Sequence, residues 1–137
     1  MSGAYSRGQA SEHLARLAIV GRDGADEDLR SALLFALGNN HAGSYYPLAV
    51  PAVRCLADVL RDGTDAARGQ ALDLLTDLLG GFDPDPEVVR APSDQEALRA
   101  DLREAGASLR PLVQAMANGA LGGSVVRDAA RELLALL

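Results

Sequence analysis

An all-α fold of about six helices, arranged as three antiparallel hairpins, is what this 137-residue sequence predicts. Three observations lead there. The chain is 48% apolar but only 4% aromatic, with no Trp, so Leu, Ala and Val must build its core, and these suit close helix packing better than a pleated sheet. Apolar residues recur every three or four positions along most of the chain, the period of one helical face. Glycine and proline clusters interrupt those stripes at helix-like intervals.

The clearest unit is 50–79, where two amphipathic stretches are joined by the polar turn Arg61-Asp62-Gly63-Thr64. Its first helix turns Val53, Leu56, Ala57 and Leu60 inward, with Arg54, Asp58 and Arg61 opposite. Its second turns Ala67, Ala71, Leu74, Leu75 and Leu78 inward, and Gly80-Gly81 is expected to end it in left-handed geometry.

Residues 1–9 read as a flexible lead-in or short packed arm, and 10–137 as a single domain with hairpins at about 10–38, 47–80 and 94–137. The first helix runs from about Ala10 to Val20. The second opens after Asp23-Gly24, with Asp26, Glu27 and Asp28 where the helix macrodipole favours negative charge, and stops at Gly38. Three prolines make 81–93 a connecting loop. Ser93 followed by Glu96 has the capping-box spacing for the next helix. From there Leu98, Leu102, Ala105, Leu109, Leu112 and Met116 form one apolar seam, in which Pro111 demands a kink or a new helix beginning near Leu109. Asn118 to Gly123 is a turn, and a last helix covers 124–137.

The second helices of the three pairs align at Leu29-Arg30, Ala67-Arg68 and Val126-Arg127, each followed by small and leucine positions. An Asp near the turn followed by a Val-Arg pair resembles the HEAT-repeat family, with Asp62 and Arg68 matching in the central unit and Val126-Arg127 in the last. Ala67 replaces the usual valine, Leu121 stands where the last unit's Asp would fall, and Asp23 is displaced by one. The resemblance, which extends to small bacterial HEAT-like proteins, implies a short α-solenoid. Its second helices would line a concave face presenting Arg30, Arg68, Asp73, Asp77, Arg127 and Arg131, a face that in the family binds proteins or, less often, nucleic acid. The alternative is that the aligned arginines only bridge neighbouring repeats.

Nineteen acidic residues against thirteen basic ones, all Arg, give a net charge of −6, which disfavours a nucleic-acid partner. The all-Arg usage fits a GC-rich genome better than thirteen needs for a guanidinium. The single cysteine, Cys55, excludes an internal disulfide and is expected in the core. No signal-peptide run or long apolar span is present, so a soluble cytoplasmic protein is expected.

The segment 38–47, GNNHAGSYYP, is the sharpest candidate site. Asn39, Asn40, His41, Tyr45 and Tyr46 could bind a ligand or transfer protons from a wide loop over the concave face. The competing reading is that Gly38-Asn39 caps a helix and the tyrosines pack between hairpins. Asp83, Asp85 and Glu87 alternate with Pro84 and Pro86, but lack the glycine and terminal acid of a calcium loop. No metal, cofactor or catalytic constellation is expected. The residues favour a non-enzymatic protein-interaction module, with an inhibitor or immunity-type protein as one version. A small enzyme or small-molecule binder with a pocket under His41, Tyr45 and Tyr46 is the alternative, and a helical-repeat DNA-repair protein a weaker third. The apolar C-terminal helix could also join two copies into a homodimer.

Overall fold

A computed structural model of the chain describes residues 37–39 and 43–137. The first expected helix pair, with His13 and Arg30, and the loop residues Asn40 and His41 lie outside the described residues. Among the described residues five helices pack around one apolar core: α1 (Ala49–Asp62), α2 (Asp65–Gly80), α3 (Pro92–Ala107), α4 (Arg110–Ala117) and α5 (Ser124–Leu134). Helix therefore dominates, as the composition predicts. Three two-residue strands that the periodicity did not announce form a small sheet beside them: β1 (Gly38–Asn39), β2 (Ser44–Tyr45) and β3 (Asp83–Pro84), in the order β1-β2-β3. Among the described residues no helix is long and apolar enough to cross a membrane.

In α1 the buried positions Ala49, Ala52, Val53, Leu56, Val59 and Leu60 recur at helical spacing and define one face. Cys55 is exposed, which corrects its expected place in the core: it shares the opposite side with Pro51, Arg54 and Asp58. The turn to α2 is tight. A Cβ at Gly63 would collide with the Val59 carbonyl oxygen, which accepts the Gly63 N–H at 2.8 Å. Thr64 then caps α2 by accepting the Ala67 N–H at 3.4 Å.

Helix α2 buries Ala67, Gln70, Ala71, Leu72, Leu74, Leu75 and Leu78, covering most of its circumference, whereas α5 buries only Val126, Ala130 and Leu133. Each fully buried leucine contributes about 1.5–3 kcal/mol relative to exposure, so α2 is the centre of the core. Helix α2 ends at Gly80 as expected, but Gly81 has φ −143°, so the stop is not a left-handed glycine.

Helix α3 starts earlier than the capping box implied. Ala91 is the N-cap and offers no side-chain bond, and Pro92, whose missing N–H is no loss in a first turn, opens the helix ahead of Ser93. Pro111 breaks the helix: α3 stops at Ala107 and α4 begins at Arg110, with Leu109 as its N-cap. The seam survives the break, since Leu98, Leu102, Ala105, Leu109 and Met116 are buried and Leu112 packs against them. The last helix stops at Leu134 rather than Leu137. Leu133 is buried, Leu134 and Leu137 pack on the core, and Leu136 remains 42% exposed.

Helix α4 packs most extensively on α5, α2 also packs on α5, and α1 packs on both α3 and α2. The starts of α2 and α5 are tied directly: the Asp65 carboxylate accepts the Gly123 N–H at 2.9 Å and the Arg68 guanidinium at 3.2 Å. Asp65 thus places negative charge at the positive ends of two helices at once.

Candidate functional site

The two irregular segments, 38–47 and 81–93, come together. Gly38 pairs with Tyr45 and Asn39 with Ser44 in an antiparallel hairpin, and Ser44 and Tyr45 then pair in parallel with Asp83 and Pro84. The described ends of 38–47 are therefore a strand pair rather than a freely projecting loop. Gly38 is required by close approach, because a Cβ there would collide with the Ser44 carbonyl oxygen and lie 2.7 Å from the Tyr45 Cα. The Asp-Pro-Asp-Pro alternation now has a structural reason. The Asp83 N–H donates to the Gly43 carbonyl at 3.0 Å and the Asp85 N–H to that of Tyr45 at 2.8 Å, so Pro84 and Pro86 fall where no ladder donor is needed. The pairing is locked by side chains: the Ser44 hydroxyl donates to Asp85 Oδ2 at 2.6 Å, both residues being 4% exposed, and the Glu87 N–H donates to Asp85 Oδ1 at 2.9 Å.

This small sheet forms one wall of an open cleft of about 300 Å³ against the end of α2 and the side of α3. Tyr45 lines it although only 2% exposed, with Phe82 and Leu102 as apolar surface and Asp83, Arg99 and Arg103 as its charged groups. Arg99 donates to Asp83 at 3.2 Å and to Glu96 at 3.0 Å, and these hydrogen bonds raise its pKa further above the ordinary value. The Tyr45 phenol is also pushed up, chiefly by burial and then by the Asp83 charge, while Arg99 and Arg103 pull it down. Tyr46 is 9% exposed and donates its N–H to the Leu37 carbonyl at 2.7 Å.

The predicted residues of the second helices divide into two kinds. Arg68, with a side chain only 12% exposed, donates Nε to the Leu60 carbonyl and Nη2 to that of Arg61, both at 2.9 Å, closing the carboxyl end of α1. Arg131 makes the equivalent bond to the Ala117 carbonyl at the end of α4, at 3.3 Å. Arg127 lies 3.9 Å from Asp128, too far for a hydrogen bond, and its Nε is buried without one. Asp73 is exposed and Asp77 half-buried on α2. Arg30, Asn40 and His41 fall outside the described residues, and Asn39 is placed here only by its backbone pairing.

Ser44, Asp83, Asp85, Arg99 and Arg103 were not singled out together by the sequence. A signal was available for some of them. Arg99 and Arg103 are spaced four apart, which puts them on one side of a helix, and alternating prolines mark an edge strand. Nothing in the sequence pairs 44 with 85. Among the described residues no group of three His, Cys, Asp or Glu is arranged to hold a metal ion. No protein-family model, curated protein or solved structure matches the chain.

Proposed function

We propose that the chain is a non-enzymatic binding module, built as a short HEAT-like solenoid of three helical pairs, whose second helices hold a protein partner with a basic surface. An inhibitor or immunity-type protein is the version this reading favours. Three packing features support the repeat. First helices lie together, α1 on α3, and second helices lie together, α2 on α5. Helices α2 and α5 begin 59 residues apart, the separation of Arg68 and Arg127, and the matched positions Ala67 and Val126, Ala71 and Ala130, and Leu74 and Leu133 are all buried. Leu72 is buried while its counterpart Arg131 is exposed, so the two units differ at this position.

The observation that carries the functional reading is the way the arginines are used. Arg68 and Arg131 donate to backbone carbonyls, whereas Asp73 on α2 and Asp128 and Glu132 on α5 are exposed, as is Val125 on α5 at 78%. Exposed carboxylates on these helices suit a basic protein surface and repel nucleic acid. The test is affinity capture with the intact chain, compared quantitatively with the Asp73→Arg/Asp77→Arg double variant. Loss of the captured partner with unchanged far-ultraviolet circular dichroism is expected. Undiminished capture overturns the assignment of this face.

A further inference from the structure

The cleft between the small sheet and α3 lies apart from the acidic outer face and has a different chemistry. Two of its three charged lining groups are guanidinium, and the one carboxylate, Asp83, is already engaged by Arg99. Arg99 is further held by Glu96. Arg103 is exposed and makes no ion pair among the described residues, so it carries the uncompensated positive charge of the cleft. Tyr45, 2% exposed, lines the same cleft. The Tyr45 hydroxyl is not one of the fully buried unpaired polar atoms, which among the described residues are Gln70 Oε1 and Arg127 Nε, so it is a donor that an occupant of the cleft can reach.

We infer that this cleft binds a small monocarboxylate with a compact apolar body. The carboxylate accepts from the Arg103 guanidinium and the Tyr45 hydroxyl, and the body rests on Phe82 and Leu102. A guanidinium fork matches the two oxygens of a carboxylate in distance and plane. The cleft volume, at the small end of ligand cavities, suits one ring or a branched chain and excludes a nucleotide. The end of α2, Leu78 to Gly80, lines one wall, and the partial negative charge of a helix carboxyl end disfavours a multiply charged anion there and favours a single negative charge placed against α3.

Benzoate is the probe, titrated into the isotopically labelled full chain and followed by backbone amide resonances. Saturable shifts confined to residues 80–83 and 99–103 are expected, with the affinity reduced roughly tenfold in Tyr45→Phe, the scale of one hydrogen bond to a charged group. Arg103→Ala is expected to abolish the shifts and Arg103→Lys to restore them only in part, while resonances of α5 report that the fold is kept. The inference is overturned by any of three results: no saturable shifts in these residues, undiminished binding by Arg103→Ala, or equal binding of neutral benzamide. Displacement of benzoate by an equal concentration of inorganic phosphate likewise overturns the choice of a carboxylate. None of these results bears on partner capture by the outer face.

Discussion

Removing the Ser44 hydroxyl tests whether the two irregular segments are held together by side chains as well as by strand pairing. In Ser44→Ala the Asp85 carboxylate, 4% exposed, keeps the Glu87 N–H but loses a donor at 2.6 Å, and no cation pairs with it among the described residues. A hydrogen bond to a buried charged group contributes about 1.5–3 kcal/mol, and at this depth water does not replace it. The expected cost is about 2 kcal/mol, a fall in Tm of about 6–10 °C for a chain of this size. Asp85→Ala strands two donors, the Ser44 hydroxyl and the Glu87 N–H, and should cost about 2–4 kcal/mol. The double variant should cost less than the sum of the two, with a coupling of about 1–2 kcal/mol. Urea denaturation followed by circular dichroism measures all three, an unchanged slope confirming that only stability has moved. Native-state hydrogen exchange localises the effect: the Asp83 and Asp85 amides should exchange faster while those of α5 hold. Strict additivity of the single variants, or a Ser44→Ala cost below about 0.5 kcal/mol, the ordinary surface range, would refute the latch.

Two further outcomes follow from the same geometry. Arg68→Ala should destabilise the chain by about 2 kcal/mol, because the Leu60 and Arg61 carbonyls lose a nearly buried charged donor. Arg68→Lys should recover little of that in urea denaturation, since an ammonium cannot span the carbonyls and Asp65 as a fork does. The folded chain holds the Tyr45 proton more tightly than the unfolded chain does, its pKa being raised above 10.0. The stability this provides is complete below pH 10 and is lost as the pH climbs through the raised value. An alkaline absorbance titration should show a late-ionising tyrosine step that is diminished in Tyr45→Phe, and an unchanged titration in that variant would contradict the burial argument.

The helices were legible because they depend on local rules. The stripe from Val53 to Leu60, the threonine and glycine between α1 and α2, and the break at Pro111 each follow from period, capping or a missing N–H within a few residues. Where local signals competed, sequence alone misjudged the winner. Ser93 fits a capping box, yet Pro92 begins the helix, and Cys55 sits among apolar neighbours in sequence while facing water. The matching burial of Ala67 with Val126 and Ala71 with Ala130 was also visible, since repetition is a property of the string of residues.

The candidate site was only half visible. Tyr45 stood out as one of few aromatics, but its surroundings come from Asp83 and Arg99, about 40 and 50 residues away, and nothing local specifies that approach. Sequence by itself determined the helical class, the apolar seams, the acidic balance and the two irregular segments, because these rest on period, composition and backbone constraint. Tertiary structure alone decided that those segments pair into a sheet, that Arg68 and Arg131 close the ends of helices, and that Tyr45 and Arg103 line one cleft. Contacts of that range form only when the leucines of α2 are buried from all sides at once, a cooperative outcome of the whole core that no window of the sequence contains.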